Sequence, residues 1–427
     1  MSEAALAVLA LLVFAWAVTS RALARHDVTG PIIFTIAGFV LANPDWGVLT
    51  ADIETGTVHA IAEVTLALVL FSDAARVNLT ELRRDVGLPI RLLAIGLPLT
   101  LIIGGVTAAI VFDDFTWGLA GFVGAALAPT DAALSAQVIN DQRVPSRLRN
   151  ALNVESGLND GIATPVVILM LAVAAAQLGL GEEGETAAMG GSAGDLMIGI
   201  GLGLLFGLGG ATAVNAATRR NWIVSGGRRI ATLAVALGAF AAALAIEGNG
   251  FIAAFVAGIA FGSRLDDTIE VEEAVELPEL GGQLLALVVW FLFGATLLPI
   301  AFDHLDEVIV IVFALLALTV FRMLPVAIAM VGSGLAWKDA LFLGWFGPRG
   351  LASVVFALLA LEELGETSEV VLEAVSVVAL TVLLSVILHG VTAGPAARSY
   401  RPADTAEDVT TSPRATPRGF LYHVRRP

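Results

Sequence analysis

Glu155-Ser156-Gly157-Leu158-Asn159-Asp160-Gly161 puts two carboxylates, a hydroxyl and an amide on one segment, and the residues that follow, Ile162 to Leu178, are almost wholly apolar. At helical spacing Ser156 and Asp160 share one face, and Glu155 and Asn159 form a second pair one step around. This reads as an ion site on a membrane helix, one face able to hold a cation while the other is tied down. In a soluble protein the same Ser-Gly and Asn-Asp would cap helix ends. The rest of the chain decides against that.

Of the 427 residues 57% are hydrophobic and 15% charged, and the mean hydropathy is +0.86; an ordinary soluble domain carries roughly 25% charged residues. The composition is that of an all-α polytopic membrane protein. Having no cysteine, the chain can form neither a disulfide framework nor a thiolate metal site. The first apolar run ends at Arg21 and Arg25 without a small-residue cleavage pattern, so it reads as a retained span and not a cleaved signal. The net charge of −16 sits in loops, in runs such as Gly181-Glu182-Glu183-Gly184-Glu185 and Leu361-Glu362-Glu363-Leu364-Gly365-Glu366, with Lys338 as the single lysine. Acidity so placed suggests a cell with high internal salt.

A bilayer core takes about 20 apolar residues per helix. Thirteen segments qualify, approximately 4–20, 28–43, 57–77, 90–111, 116–139, 149–177, 194–217, 229–246, 249–263, 280–299, 305–331, 338–360 and 368–395. Cytoplasmic loops collect Lys and Arg. With the N-terminus outside, 21 of the 23 basic residues fall in inner loops or the tail, among them Arg76, Arg83, Arg84, Arg91, Arg143 and Arg264. The charge pattern therefore predicts a multi-pass cell-membrane protein with its N-terminus outside and its C-terminus in the cytoplasm. Residues 398–427 are polar and proline-rich, a short disordered cytoplasmic tail by composition.

Two spans carry proline near the middle: the fifth in Ala128-Pro129-Thr130-Asp131 and the twelfth in Gly347-Pro348-Arg349-Gly350. They correspond if spans 1–6 and 8–13 are two inverted six-helix repeats, with helices 5 and 12 broken so that half-helix ends face an ion. Asp73, Asp131, Glu155, Asp160, Arg322 and Arg349 come from five spans and lie about 4 to 11 residues from the inner ends, at roughly one depth. Ionisable residues at that depth cost roughly 2.5–3.5 kcal/mol each on insertion scales and are functional by default. A buried arginine needs a fixed acidic partner, which pairs Arg322 with Glu155 and leaves Asp131 and Asp160 to bind something. Carboxylates sharing a buried site take up protons more readily than exposed ones, so a proton and a hard cation can compete there. The oxygen set fits Na+ or Li+: the carboxylates of Asp131 and Asp160, the hydroxyl of Ser156 and a carbonyl freed at Thr130. No histidine lies mid-span, His389 coming closest, and a histidine relay is disfavoured.

These residues are similar to those of the monovalent cation/proton antiporters of the NhaP and NHE type, over about residues 4–397. The resemblance rests on Phe71-Ser72-Asp73, Ala128-Pro129-Thr130-Asp131, Glu155-Ser156-Gly157-Leu158-Asn159-Asp160, Phe321-Arg322 and Gly347-Pro348-Arg349-Gly350, in that order. It implies a homodimer in which a transport bundle (about 90–177 and 305–395) moves against a dimerisation part (about 4–77 and 229–299). It implies Asp160 as the ion and proton carrier, with Asp131, Ser156 and Thr130 helping to coordinate the metal ion. Glu155 and Arg322 would form a structural ion pair, and Asn159 before Asp160 implies electroneutral one-for-one exchange. The third-span acid is often glutamate in the family and is Asp73 here, and the proline that often follows the fifth-span aspartate is Ala132.

The expected partners are membrane lipid and the transported monovalent cation, with no cofactor and no nucleic acid, and the expected role is pH homeostasis without enzymatic chemistry. Potassium/proton exchange is the nearest alternative. A channel is a further one, and two membrane aspartates also describe an intramembrane aspartyl protease, although Asp131 and Asp160 lack the Gly-x-Gly-Asp setting such enzymes share.

Overall fold

Helix follows helix wherever the sequence is apolar, and proline or glycine marks most of the interruptions. The computed structural model describes residues 3–24, 28–43, 47–49, 55–77, 87–180, 185–365 and 367–400. In chain order the helices are α1 (Glu3–Ala24), α2 (Gly30–Leu41), α3 (Thr55–Ala75), α4 (Gly87–Val111), α5 (Trp117–Ala126), α6 (Ala136–Ile139), α7 (Ser146–Gln177), α8 (Glu185–Arg219), α9 (Ser225–Leu244), α10 (Gly250–Arg264), α11 (Val271–Asp303), α12 (Val308–Ala329), α13 (Trp337–Trp345), α14 (Leu351–Leu364) and α15 (Glu369–Arg398). Among the described residues there is no strand, and nine helices are long and apolar enough to cross a membrane. Taking α5 with α6 and α13 with α14 gives the thirteen segments read from the sequence. Arg25, Arg83, Arg84, Glu182, Glu183, Glu366 and the tail beyond Tyr400 lie outside the described residues.

The details differ from the apolar windows where polar chemistry extends or bends a helix. α11 starts well before residue 280 because its first turns are amphipathic: Glu273 and Glu276 pair with Arg228 and Arg229 of α9, and Glu279 pairs with Arg76. α12 is interrupted at Thr319, whose hydroxyl donates to the carbonyl of Leu315 at 2.6 Å, a back-bond that bends helices. α4 and α11 each widen to a π-turn, at Leu92–Gly96 and Phe293–Leu297, just ahead of Pro98 and Pro299. Proline supplies no N–H to the carbonyl four residues back, and the wider turn accommodates that gap.

Helices α2, α3 and α8 to α11 pack on one another, and α4 to α7 with α12 to α15 form a second group. Small residues let the backbones approach within the first group. Gly199, Gly203 and Gly207 of α8 lie against the backbone of α10, and Gly258 and Gly262 of α10 lie against Phe71 and Ala75 of α3. The groups touch through α3 against α7 and α14, through α8 and α10 against α7, and through α11 against α14 and α15. At one end of the contact between α3 and α14, His59 of α3 sits between Glu63 and Glu362 of α14.

Candidate functional site

The fifth and twelfth spans stop being helical where they meet. α5 ends at Ala126, residues 127–135 are non-helical, and α13 ends at Trp345 with 346–350 non-helical before α14 begins. A broken helix leaves carbonyls without partners on one side and amides on the other. Here each span satisfies the other. The Arg349 guanidinium donates to the carbonyls of Ala128 (2.7 Å) and Pro129 (3.1 Å), and Ser353 Oγ donates to Ala126 O at 2.6 Å. In return Asp131 Oδ2 accepts the amide of Leu351 at 3.0 Å, and the amide of Asp131 donates to Pro348 O at 2.8 Å. The signs are right for the helix ends: a cation at the C-terminus of α5 and an anion at the N-terminus of α14. Residue 350 must be glycine, since a Cβ there would lie 2.0 Å from Asp131 Oδ2.

Beside this crossing, α7 presents the polar face of residues 155–160. Arg322 of α12 donates to both oxygens of Glu155, at 2.6 and 2.8 Å, with both side chains 1% exposed. The bidentate pairing neutralises two charges that could not be buried singly. One turn along, Thr130 Oγ1 lies 3.1 Å from Ser156 Oγ and accepts from Asn159 Nδ2 at 2.6 Å. Asn159 Oδ1 is buried and meets no hydrogen-bond donor. Asp160, half-buried, follows directly, and its carbonyl accepts the hydroxyl of Thr164 at 2.6 Å.

The structure therefore brings Thr130, Asp131, Glu155, Ser156, Asn159, Asp160, Arg322 and Arg349 to one region of four spans. Asp131 differs from the free acid expected of it: Oδ1 also accepts the amides of Ala133 (2.7 Å) and Leu134 (3.3 Å), so its carboxylate is a helix-end cap. The break makes this possible, because amides in a turn or at a helix start have no intrahelical acceptor. Asp73 lies at the end of α3, half-buried, where it acts electrostatically on Arg76. Ser353, Ser385 and His389, none marked by the sequence motifs, also bond to the crossing. A serine or histidine on an apolar helix gives no sign of a partner distant in sequence, so only the polar gaps in α14 and α15 could have flagged them.

Away from the spans, the Arg143 guanidinium holds the Asp141 carboxyl below its ordinary value. Burial, and then Asp339, push the Tyr400 phenol up; its hydroxyl donates to Asp339 at 2.8 Å and ties the end of α15 to the start of α13. The arrangement as a whole offers buried oxygen ligands next to a half-buried carboxylate. That chemistry suits a small monovalent cation or a proton in turn.

Residues 8–399 match the sodium/hydrogen exchanger family, transmembrane region. The chain is 24% identical over 336 residues to the K(+)/H(+) antiporter NhaP of Alkalimonas amylolytica, covering 77% of this chain and 55% of that protein. It is also 24% identical over 334 residues to the K(+)/H(+) antiporter NhaP2 of Shewanella baltica (strain OS223), with the same coverage. The chain thus spans about half the length of these relatives. The structure of the sodium proton antiporter MjNhaP1 from Methanocaldococcus jannaschii at pH 8 shares the fold, with a TM-score of 0.68, 19% identity, and coverage of 93% of this chain and 98% of that one.

Proposed function

The chain belongs to the sodium/hydrogen exchanger family, and from that premise we propose that it is a secondary active antiporter exchanging Na+, or Li+, for H+ across the cell membrane. The observation that carries this reading is the buried cluster of Thr130, Ser156 and Asn159 oxygens beside the half-buried Asp160. When Asp160 is ionised, its carboxylate and these neutral oxygens hold the cation; when it takes a proton, the charge that held the cation is gone and the cation leaves. Because one group serves both ions, neither can be carried at the same moment as the other, which is the coupling an antiporter requires. Asp131 adds a second negative charge to the site while its oxygens hold the start of α14. Glu155 and Arg322 carry no ion and keep α7 against α12.

Asn159 is amide rather than carboxylate, so the site changes charge by one for each ion held, and the exchange is one cation for one proton. The two helix groups supply the moving parts: α4 to α7 and α12 to α15 as the transport bundle, and the first group as the dimerisation part of a homodimer. The N-terminus is outside, in keeping with the placement of the arginines. Potassium is the second reading, favoured by the names of the K(+)/H(+) antiporters among the relatives.

Proteoliposomes loaded with a pH-sensitive dye test this. A proton gradient should collapse on adding NaCl or LiCl, more than on adding KCl, and at the same rate with the membrane potential clamped or free. A response to KCl alone would move the assignment to potassium, and no response to any of the three would refute cation/proton exchange.

A further inference from the structure

The break in the twelfth span leaves backbone groups that the fifth span does not reach, and the last helix takes two of them. Arg349 N–H donates to Ser385 Oγ at 2.7 Å, and the carbonyl of Trp345, at the end of α13, lies 2.8 Å from His389 Nε2. Ser385 and His389 are one turn apart on α15, with Ser385 Oγ 3.2 Å from His389 Nδ1. A carbonyl only accepts, so His389 Nε2 carries the proton facing Trp345. A serine hydroxyl that accepts from Arg349 has its own proton to give, and Nδ1 is an acceptor within reach. The result is a continuous chain: Arg349 N–H to Ser385, Ser385 O–H to His389 Nδ1, and His389 Nε2–H to Trp345 O. Nδ1 is also 2.9 Å from the carbonyl of Ser385; a proton placed there on a neutral ring would turn the Nε2 lone pair onto Trp345 O, so the first arrangement satisfies more groups.

Both side chains are buried, at 0% and 2% exposure. The Trp345 ring lies against the His389 ring with centroids 5.1 Å apart, and its Nε1 donates to Thr392 of α15 at 2.9 Å. The unwound segment 346–350 is thus gripped at both ends by α15. What it carries is Arg349, whose guanidinium caps α5 one residue before Thr130.

We propose that Ser385 and His389 are positioning residues for the ion site: they brace the unwound segment of the twelfth span, fix Arg349, and through it set Thr130 against Ser156 and Asn159. This rests on the antiport reading above and adds a role for two residues of the last helix. Neither touches the transported ion; they act through Arg349. A brace of this kind bears on how well the site fits its cation, and so on affinity more than on turnover.

The test is exchange in proteoliposomes of the full chain, comparing wild type with S385A, S385T, H389A and H389Q, each normalised to folded protein by thermal melting. S385A and H389A should raise the half-saturating cation concentration at least fivefold, with the maximal rate changed less than twofold. S385T restores a hydroxyl and should recover most of that loss. H389Q keeps an N–H that can reach Trp345 O, but its one acceptor, Oε1, sits at the far end of the side chain and not at the Nδ1 position facing Ser385, so it should fall between wild type and H389A. If the alanine variants do not fold, H389Q decides: an unchanged half-saturating concentration overturns the proposal. So does a value within twofold of wild type in both alanine variants, or a loss in S385T equal to that in S385A. Absence of exchange in the wild-type protein would overturn the antiport reading itself, which this control separates from the rest.

Discussion

The carboxylate of Asp131 accepts the amide of Leu351 at 3.0 Å, joining two spans that are 220 residues apart in sequence. With Arg349 donating in the opposite sense to Ala128 and Pro129, each broken span completes the backbone of the other. An isolated half-helix end in a membrane would leave polar groups unsatisfied at several kcal/mol each. The crossing removes that cost and fixes Thr130 beside α7.

Replacing Asp131 separates its two contributions. D131N keeps one acceptor oxygen, for Leu351 N–H or for the Ala133 amide but not both; it should still fold, yet lower the exchange rate at least tenfold by removing a charge from the site. D131A also loses the cap, worth about 0.5–2 kcal/mol by comparison with helix N-caps, and should lower the melting temperature as well. Detergent-solubilised melting alongside vesicle exchange measures both.

Removing one partner of the Glu155–Arg322 pair strands a charge in a fully enclosed site. E155A or R322A should cost about 3–5 kcal/mol and show up mainly as lost folded protein. The double substitution E155L/R322M should recover much of that stability, because well-packed apolar residues of similar volume replace a buried pair at little cost. Folded yield and melting temperature of the three variants decide it.

Arg349 is held by geometry as much as by charge. R349K retains the charge, but its ammonium sits one bond short of the Nη1 that donates to both Ala128 O and Pro129 O, so exchange should fall at least tenfold although the protein still folds. A lysine variant with wild-type exchange would show that charge alone suffices at this position.

G350A introduces a Cβ within 2.0 Å of Asp131 Oδ2, too close for any relaxation short of moving the crossing. Exchange should be abolished, and D131G placed on top of G350A should relieve the overlap and restore folded yield without restoring transport.

The sequence shows the spans clearly, because apolar runs of membrane length between clusters of arginine have few other readings. It shows less where a helix is only half apolar: the first turns of α11 lie outside the window since their glutamates face Arg228 and Arg229. At the site, charge and depth put Asp131, Asp160, Glu155, Arg322 and Arg349 at one level and pair Arg322 with Glu155, but they do not say what Arg349 meets. Arg322 goes to Glu155, while Arg349 gives its donors to carbonyls that exist only because Pro129 breaks α5. Asp131 is engaged by amides for the same reason. Ser385 and His389 carry no motif, and their partners become available only once the twelfth span unwinds. Backbone groups exposed by a break are invisible to any reading of side chains alone.

In the proposed antiport, Asp160 takes a cation and a proton in alternation. Purified D160N in proteoliposomes, compared with wild type at equal folded amount, measures that directly: an asparagine cannot ionise, so addition of Na+, Li+ or K+ should leave an imposed proton gradient intact. Collapse of the gradient in D160N at a rate near that of the wild type would contradict it.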